Sequence, residues 1–197
     1  MFHPPSRLTY RAFHYNCTFG PKYPGSALSG TDRFIYGTWF LGNAYKGSGF
    51  FGAYPPEYLK RVAALFPDTP EQVLHLFSGS LPKSNRYVRF DIKQKADVQG
   101  NAEQLSKHFR SNSFDVIYAD PPYSKEAAIR YGTPMPNRKK VLEQCAKVLR
   151  PGGFVLWLDT VWPMVAKTKL ELVGTISLFR SSNHVVRATF LFRKPLA

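Results

Sequence analysis

Residues 114–123, Phe-Asp-Val-Ile-Tyr-Ala-Asp-Pro-Pro-Tyr, constrain the fold more than any other segment of this chain. An apolar run of strand type ends in Asp120, and Pro121 and Pro122 have no amide hydrogen with which to continue a ladder. A strand that must stop here presents three groups together: the Asp120 carboxylate, a backbone carbonyl fixed by proline, and the ring of Tyr123. At the carboxyl end of a parallel strand, such a group lies where open α/β sheets hold their ligands. Two acceptors beside an aromatic face suit a flat substrate that carries an amino group. The plainer alternative is a strand-ending turn that the aspartate helps to organise.

The rest of the sequence supplies the sheet to which such a strand would belong. Residues 1–55 are rich in Tyr, Phe, Gly and Pro, and read as irregular structure with short strands. Helical spacing of Tyr58, Leu59, Val62, Ala63 and Phe66 predicts a helix over Pro56–Phe66. Val73–Phe77 reads as a first strand ending in the turn Ser78-Gly79-Ser80, and Arg86–Ile92 as a second with Asp91 near its end. A short strand at Ala96–Val98 and a helix near Ala102–Phe109 precede the strand Phe114–Ala119. Ser124–Asn137, with Gly132, Pro134 and Pro136, reads as a long loop. Arg138–Leu149 then forms a helix stopped by Pro151-Gly152-Gly153, and Phe154–Asp159 a buried strand. Leu170–Phe179 and Val185–Arg193 close the chain as an antiparallel pair. Strands alternating with helices predict an α/β, doubly wound and mostly parallel sheet, with a C-terminal antiparallel hairpin. At 197 residues the expectation is one domain: an aromatic, basic extension over 1–45 and a core over 46–197.

Charge indicates the partner. The formal net charge is +14, and it is unevenly spread. Residues 67–129 hold eight charges of each sign, whereas residues 1–66 carry seven basic and two acidic side chains and residues 130–197 twelve and three. Basic flanks around a neutral middle point to a polyanion, and the base-directed turn makes nucleic acid the natural one. A merely basic surface is the alternative. No apolar stretch is long enough to span a bilayer, so no membrane association is expected. Cys17 and Cys145 read as two free thiols in a reducing, cytoplasmic compartment, with no metal cluster.

Four segments together resemble the class I S-adenosylmethionine-dependent amino-methyltransferases, and DNA adenine-N6 methyltransferases in particular. Asp120-Pro121-Pro122-Tyr123 is similar to their catalytic Asp-Pro-Pro-Tyr motif, and Phe77-Ser78-Gly79-Ser80 occupies the place of their Phe-x-Gly-x-Gly cofactor loop. Residues 51–59, Phe-Gly-Ala-Tyr-Pro-Pro-Glu-Tyr-Leu, resemble the motif before that loop, and Leu149–Gly153 the helix-to-strand turn of class I methyltransferases. The chain departs from the pattern at His75, where an acid is usual, and at Leu81, where a second glycine is usual. His75, inside an apolar strand, reads as a hydrogen-bonded core histidine.

The resemblance implies S-adenosyl-L-methionine as cofactor and a methyl group passed to adenine N6. Asp120 and the Pro121 carbonyl would accept the two amine N–H groups, with Pro122 fixing the turn and Tyr123 stacking on a flipped base. Phe77, Ser78, Gly79 and Ser80 would admit the methionine portion of the cofactor, walled by Tyr54 and Pro55. Asp91 would accept the ribose hydroxyls. Asn101 and Ala102 resemble the adenine-contact position. Lys125, Arg130, Arg138, Lys139 and Lys140 flank the motif as phosphate contacts, against the alternative of a solvated helix start. Arg11, Lys22, Arg33 and Lys46, interleaved with Phe13, Tyr15, Tyr23, Tyr36, Trp39 and Tyr45, fit either a basic aromatic surface or an aromatic cap over the sheet. With only residues 1–45 and 124–137 spare, recognition is expected to be of low specificity, directed at a short target, or supplied by a recognition subunit or second copy. An RNA base methyltransferase and a catalytically silent nucleic-acid-binding subunit are the rival readings.

Overall fold

A computed structural model describes residues 5, 6, 8–42, 54, 55, 57–93, 95–180 and 183–196. Among the described residues nine strands form one sheet in the order β1-β2-β8-β9-β7-β6-β3-β4-β5. They are β1 (Leu28–Gly30), β2 (Ile35–Leu41), β3 (Val73–Leu76), β4 (Val88–Asp91), β5 (Val98–Gln99), β6 (Phe114–Ala119), β7 (Leu149–Asp159), β8 (Glu171–Arg180) and β9 (Asn183–Arg193). The helices are α1 (Ala12–Phe19), α2 (Tyr58–Ala63), α3 (Lys125–Tyr131) and α4 (Arg138–Val148). β3, β4, β5, β6 and β7 pair in parallel, while β9 runs antiparallel between β7 and β8. This is the mostly parallel α/β sheet with a terminal hairpin that the alternating pattern predicts.

Burial on both faces explains the uninterrupted apolar strands. All six residues of β6 are buried. On one face Val116, Tyr118, Phe154 and Leu156 pack with Tyr58, Val62 and Tyr15; on the other Ile117, Val155 and Trp157 pack with Val141, Leu142 and Cys145.

Two expectations are corrected. The predicted loop over Ser124–Asn137 contains α3: Ser124 Oγ accepts the Ala127 amide hydrogen at 3.1 Å, and Gly132, at φ 66°, ends the helix in the left-handed conformation. Residues 1–55 are also more regular than expected. They supply α1 and β2, and β2 extends the sheet by pairing in parallel with β8 over seven register positions.

Smaller differences concern ends. The helix read over Pro56–Phe66 is α2, with Pro56 outside the described residues, and the Ala102–Phe109 helix is a 3-10 turn over Ala102–Lys107. The strand read over Phe154–Asp159 begins earlier, at Leu149. No helix of the described residues is long and apolar enough to cross a membrane.

Candidate active site

Three carboxylates and one strained turn lie along the carboxyl ends of the parallel strands, the edge at which such sheets bind ligands. β3 leads into Phe77 and Gly79, β4 ends on Asp91, β6 is followed by Asp120 and β7 ends on Asp159. Leu76 and Ala119 are register partners, so the turn and Asp120 leave neighbouring strands at the same level.

The turn has the build of a cofactor cradle. Phe77 is held at φ 55°, a conformation that a bulky side chain adopts only under strain of about 1–3 kcal/mol, and Gly79 follows at φ 50°. Asp91 fixes the turn: Oδ2 accepts the Gly79 amide hydrogen at 3.0 Å, and Oδ1 accepts that of Lys93 at 2.9 Å. A carboxylate oxygen can accept more than one hydrogen, so these bonds are compatible with a further donor. Leu81, in place of a second glycine, donates its amide to the Ser78 carbonyl at 3.0 Å and closes the turn.

A cavity of about 300 Å³ opens beside this turn, lined among others by Tyr54, Pro55, Ser78, Ser80 and Leu81. Four of the expected cofactor residues therefore share one cavity. Ser78 Oγ is buried with no hydrogen-bond partner, the state expected of a group that awaits a ligand. Asn101 and Ala102 stand next to Asp91, because the Gly100 amide donates to the Asp91 carbonyl at 3.0 Å. Asn101 Oδ1 is engaged locally, accepting from the Glu103 amide at 2.9 Å, and Ala102 is buried.

His75 is the hydrogen-bonded core residue that its apolar strand predicts. It lies 3.2 Å from the Tyr54 hydroxyl and stacks on Tyr118, and burial pushes its pKa down to about 3. Tyr54 in turn stacks on Tyr58, whose hydroxyl accepts from Thr189 at 3.0 Å.

Asp120 lies among these aromatics. Burial pushes its pKa up to about 7; a hydrogen bond from Tyr123 and the charge of Arg187 oppose the shift, and nearby Asp159 adds to it. Pro121 is buried and Pro122 and Tyr123 are half-buried. The Arg187 guanidinium lies over the Tyr123 ring, 4.8 Å from its centre, as a cation–aromatic contact.

The basic residues expected at phosphates separate into two groups. Lys125, Arg130, Lys139 and Lys140 are exposed, and Lys140 Nζ is 3.6 Å from Glu103. Arg138 is instead committed to the site's frame. It donates to fully buried Asp159 at 2.7 and 3.2 Å and to the Tyr123 carbonyl at 3.0 Å. Asp159 also accepts from Trp157 Nε1 at 3.0 Å and from the Thr160 amide at 2.7 Å. Asp159, Arg187 and this role of Arg138 escaped sequence reasoning, although an acid ending the strand after Asp-Pro-Pro-Tyr was a visible signal.

In the N-terminal part, Tyr15 and Trp39 are fully buried and stack 5.2 Å apart, so these two cap the sheet. Buried Arg61 donates to Tyr15 Oη at 2.9 Å and lies over the Tyr23 ring. Arg11, Lys22, Arg33, Phe13 and Tyr36 are exposed; Tyr45 and Lys46 lie outside the described residues, as do residues 51–53. No group of side chains among the described residues could hold a metal ion.

Residues 68–157, which run from before β3 into β7 and contain the whole turn and Asp120–Tyr123, match the family model of a methyltransferase domain. Among curated proteins none matches the chain. The fold is similar to TrmN from Thermus thermophilus, at 17% identity and TM-score 0.48, over 63% of this chain and 44% of that one. It is similar also to an S-adenosylmethionine-dependent methyltransferase from Methanosarcina mazei, at 13% identity and TM-score 0.40, over 64% and 93%. A third is the arsenic (III) S-adenosylmethionine methyltransferase of Chlamydomonas reinhardtii, at 11% and 0.34, over 63% of each chain. The match to TrmN spans less than half the length of that protein. S-adenosyl-L-methionine is the cofactor of such a domain, and the unpartnered Ser78 hydroxyl, the Gly79 turn and the Asp91 carboxylate fit it. Residues 68–157 thus match a methyltransferase domain and lie on a mostly parallel α/β sheet.

Proposed function

We propose that this chain transfers a methyl group to the exocyclic N6 amine of adenine in DNA. The reading rests above all on one adjacency: the Phe77–Ser80 turn and Asp120 leave β3 and β6 side by side, beginning from the register pair Leu76 and Ala119. A cofactor held by the first and an amine held by the second would meet at the mouth of the crevice.

The bound cofactor supplies an electrophilic methyl group on a sulfonium. The chain's residues supply position. An aromatic amine is a poor nucleophile because its lone pair is delocalised into the ring. Acceptors at Asp120 and the Pro121 carbonyl would draw its two N–H groups out of the ring plane and free the lone pair. The Asp120 carboxylate also offsets the positive charge that builds on nitrogen as the bond forms, before a proton leaves to solvent. The ring of Tyr123 would stack on a base turned out of the duplex, as base-modifying enzymes require. Exposed Lys125, Arg130, Lys139 and Lys140 suit the backbone around it. Ser78, Gly79 and Asp91 would hold the methionine and ribose portions, with Tyr54 and Pro55 as a wall.

Incubation with tritiated cofactor and DNAs of varied sequence, followed by digestion to nucleosides, tests the proposal. Label in N6-methyladenine is expected, spread over unrelated templates if specificity is low. Label confined to cytosine, or transferred only to structured ribosomal RNA, would contradict it. Calorimetry with S-adenosylhomocysteine separates a silent subunit, which would bind nothing at high micromolar ligand.

A further inference from the structure

Beside the candidate site stand two arginines that the methyl-transfer chemistry does not use. Arg187, on β9, holds its guanidinium 4.8 Å from the centre of the Tyr123 ring. Arg180 ends β8 in the strand that pairs with it, where Leu178 faces Arg187 and Arg180 faces Asn183 across a register shift. Arg180 stands two residues along β8 from Leu178, the register partner of Arg187, and burial first, then the charge of Arg187, lower the Arg180 pKa.

Two like charges held together under partial burial call for a counter-charge. The ion pairs of the described residues engage Lys60, Arg89, Arg138, Lys140, Arg150 and Lys169, and neither Arg180 nor Arg187. Both side chains also bury a Nε hydrogen that has no acceptor. Asp120 feels the charge of Arg187 while accepting a hydrogen bond from Tyr123. Asp120 is the residue proposed to hold the substrate amine, so it is not free to serve as their permanent partner.

We propose that Arg180 and Arg187 form a binding site for a backbone phosphate of the nucleotide whose base is presented to Asp120. Planar guanidinium groups bind phosphate oxygens in pairs, and two of them surround one phosphodiester with matched donors. Placement beside Tyr123 fits a nucleotide whose base is held at that ring while its phosphate meets the arginines. The inference rests on the nucleic-acid reading of the same site and adds to it the residues that hold the target strand.

The test is binding of a fluorescent single-stranded dA12 oligonucleotide by anisotropy across a salt series, without cofactor. Arg180→Ala and Arg187→Ala should each weaken binding about tenfold at low salt. The double variant should flatten the slope of log K against log salt by about 0.7, the change that one phosphate left unneutralised produces on a single strand. Arg187→Lys should keep the slope and lose part of the affinity, whereas Lys167→Ala, at an exposed position outside the site, should change neither. S-adenosylhomocysteine affinity should be unaltered in every variant, which reports that the fold is intact. Wild-type affinity and slope in the double variant would overturn the phosphate site and leave the substrate reading standing. Absence of binding by the unaltered chain, to this oligonucleotide and to its RNA counterpart, would overturn both.

Discussion

Tyr123 donates its hydroxyl hydrogen to Asp120 Oδ1 across 2.5 Å, so the ring and the acid of the strand-ending turn are coupled. The hydrogen bond favours the carboxylate while burial disfavours it, and burial prevails, leaving the pKa at about 7. Asp120 can offset the positive charge that builds on the amine nitrogen only when deprotonated. Methyl transfer should therefore rise through pH 7, with kcat/KM falling about tenfold per pH unit well below it. A profile flat from about pH 5.5 to about 8 would contradict this assignment.

Tyr123→Phe removes the donor that stabilises the carboxylate. The acid limb should move to higher pH, and affinity for the base should fall little because the ring remains. Steady-state rates across pH for the two proteins provide the check; an unmoved limb would mean that the hydroxyl does not tune Asp120.

The same shift links stability to pH. The folded state binds the Asp120 proton more tightly than the unfolded chain, in which an aspartate titrates near about 3.9. Its contribution therefore becomes progressively unfavourable as pH rises from about 4 to about 7. Asp120→Asn should stabilise the protein at about pH 8 by on the order of 1–3 kcal/mol and have little effect near pH 4. Thermal melts at the two pH values measure the difference.

Arg138 and Asp159 form the buried support of the turn. Loss of Arg138 leaves a fully buried carboxylate without its ion-pair partner, so Arg138→Ala should cost about 3 kcal/mol. Asp159→Asn in the same chain should recover part of that loss. Denaturant unfolding of both single variants and the double variant tests the coupling, and additive losses would refute it.

Asp91 fixes Gly79 by a 3.0 Å hydrogen bond and is expected to meet the ribose. Asp91→Ala should raise the dissociation constant for S-adenosylhomocysteine at least about tenfold, since a hydrogen bond to a charged group contributes about 1.5–3 kcal/mol. Calorimetry reads it directly.

The order of strands and helices after residue 68 was legible because each strand there is a short apolar run closed by a turn residue or an acid. The Phe77–Ser80 turn, Asp91 and Asp120 could be placed on one edge for the same reason, since strand direction and register follow from the alternation with helices. α3 was hidden by Gly132 and two prolines, although Ser124 at its start is an ordinary cap and its signal was present. β2 was harder: Ile35, Trp39 and Leu41 are buried while Tyr36 and Phe40 are exposed, and a glycine interrupts the pattern. Its place beside β8 is a long-range pairing that no local signal carries. Arg138 read as a phosphate contact at a helix start because its partner, Asp159, lies 21 residues away in sequence. The Arg187 contact with Tyr123 spans a still longer separation and required the sheet order to be known.

The most direct test is to measure transfer and cofactor binding side by side in Asp120→Ala. Loss of methyl transfer by about a thousandfold or more, with S-adenosylhomocysteine affinity within about threefold of the unaltered chain, is predicted. Retained transfer, or an equal loss of transfer and binding, would contradict the role given to that carboxylate.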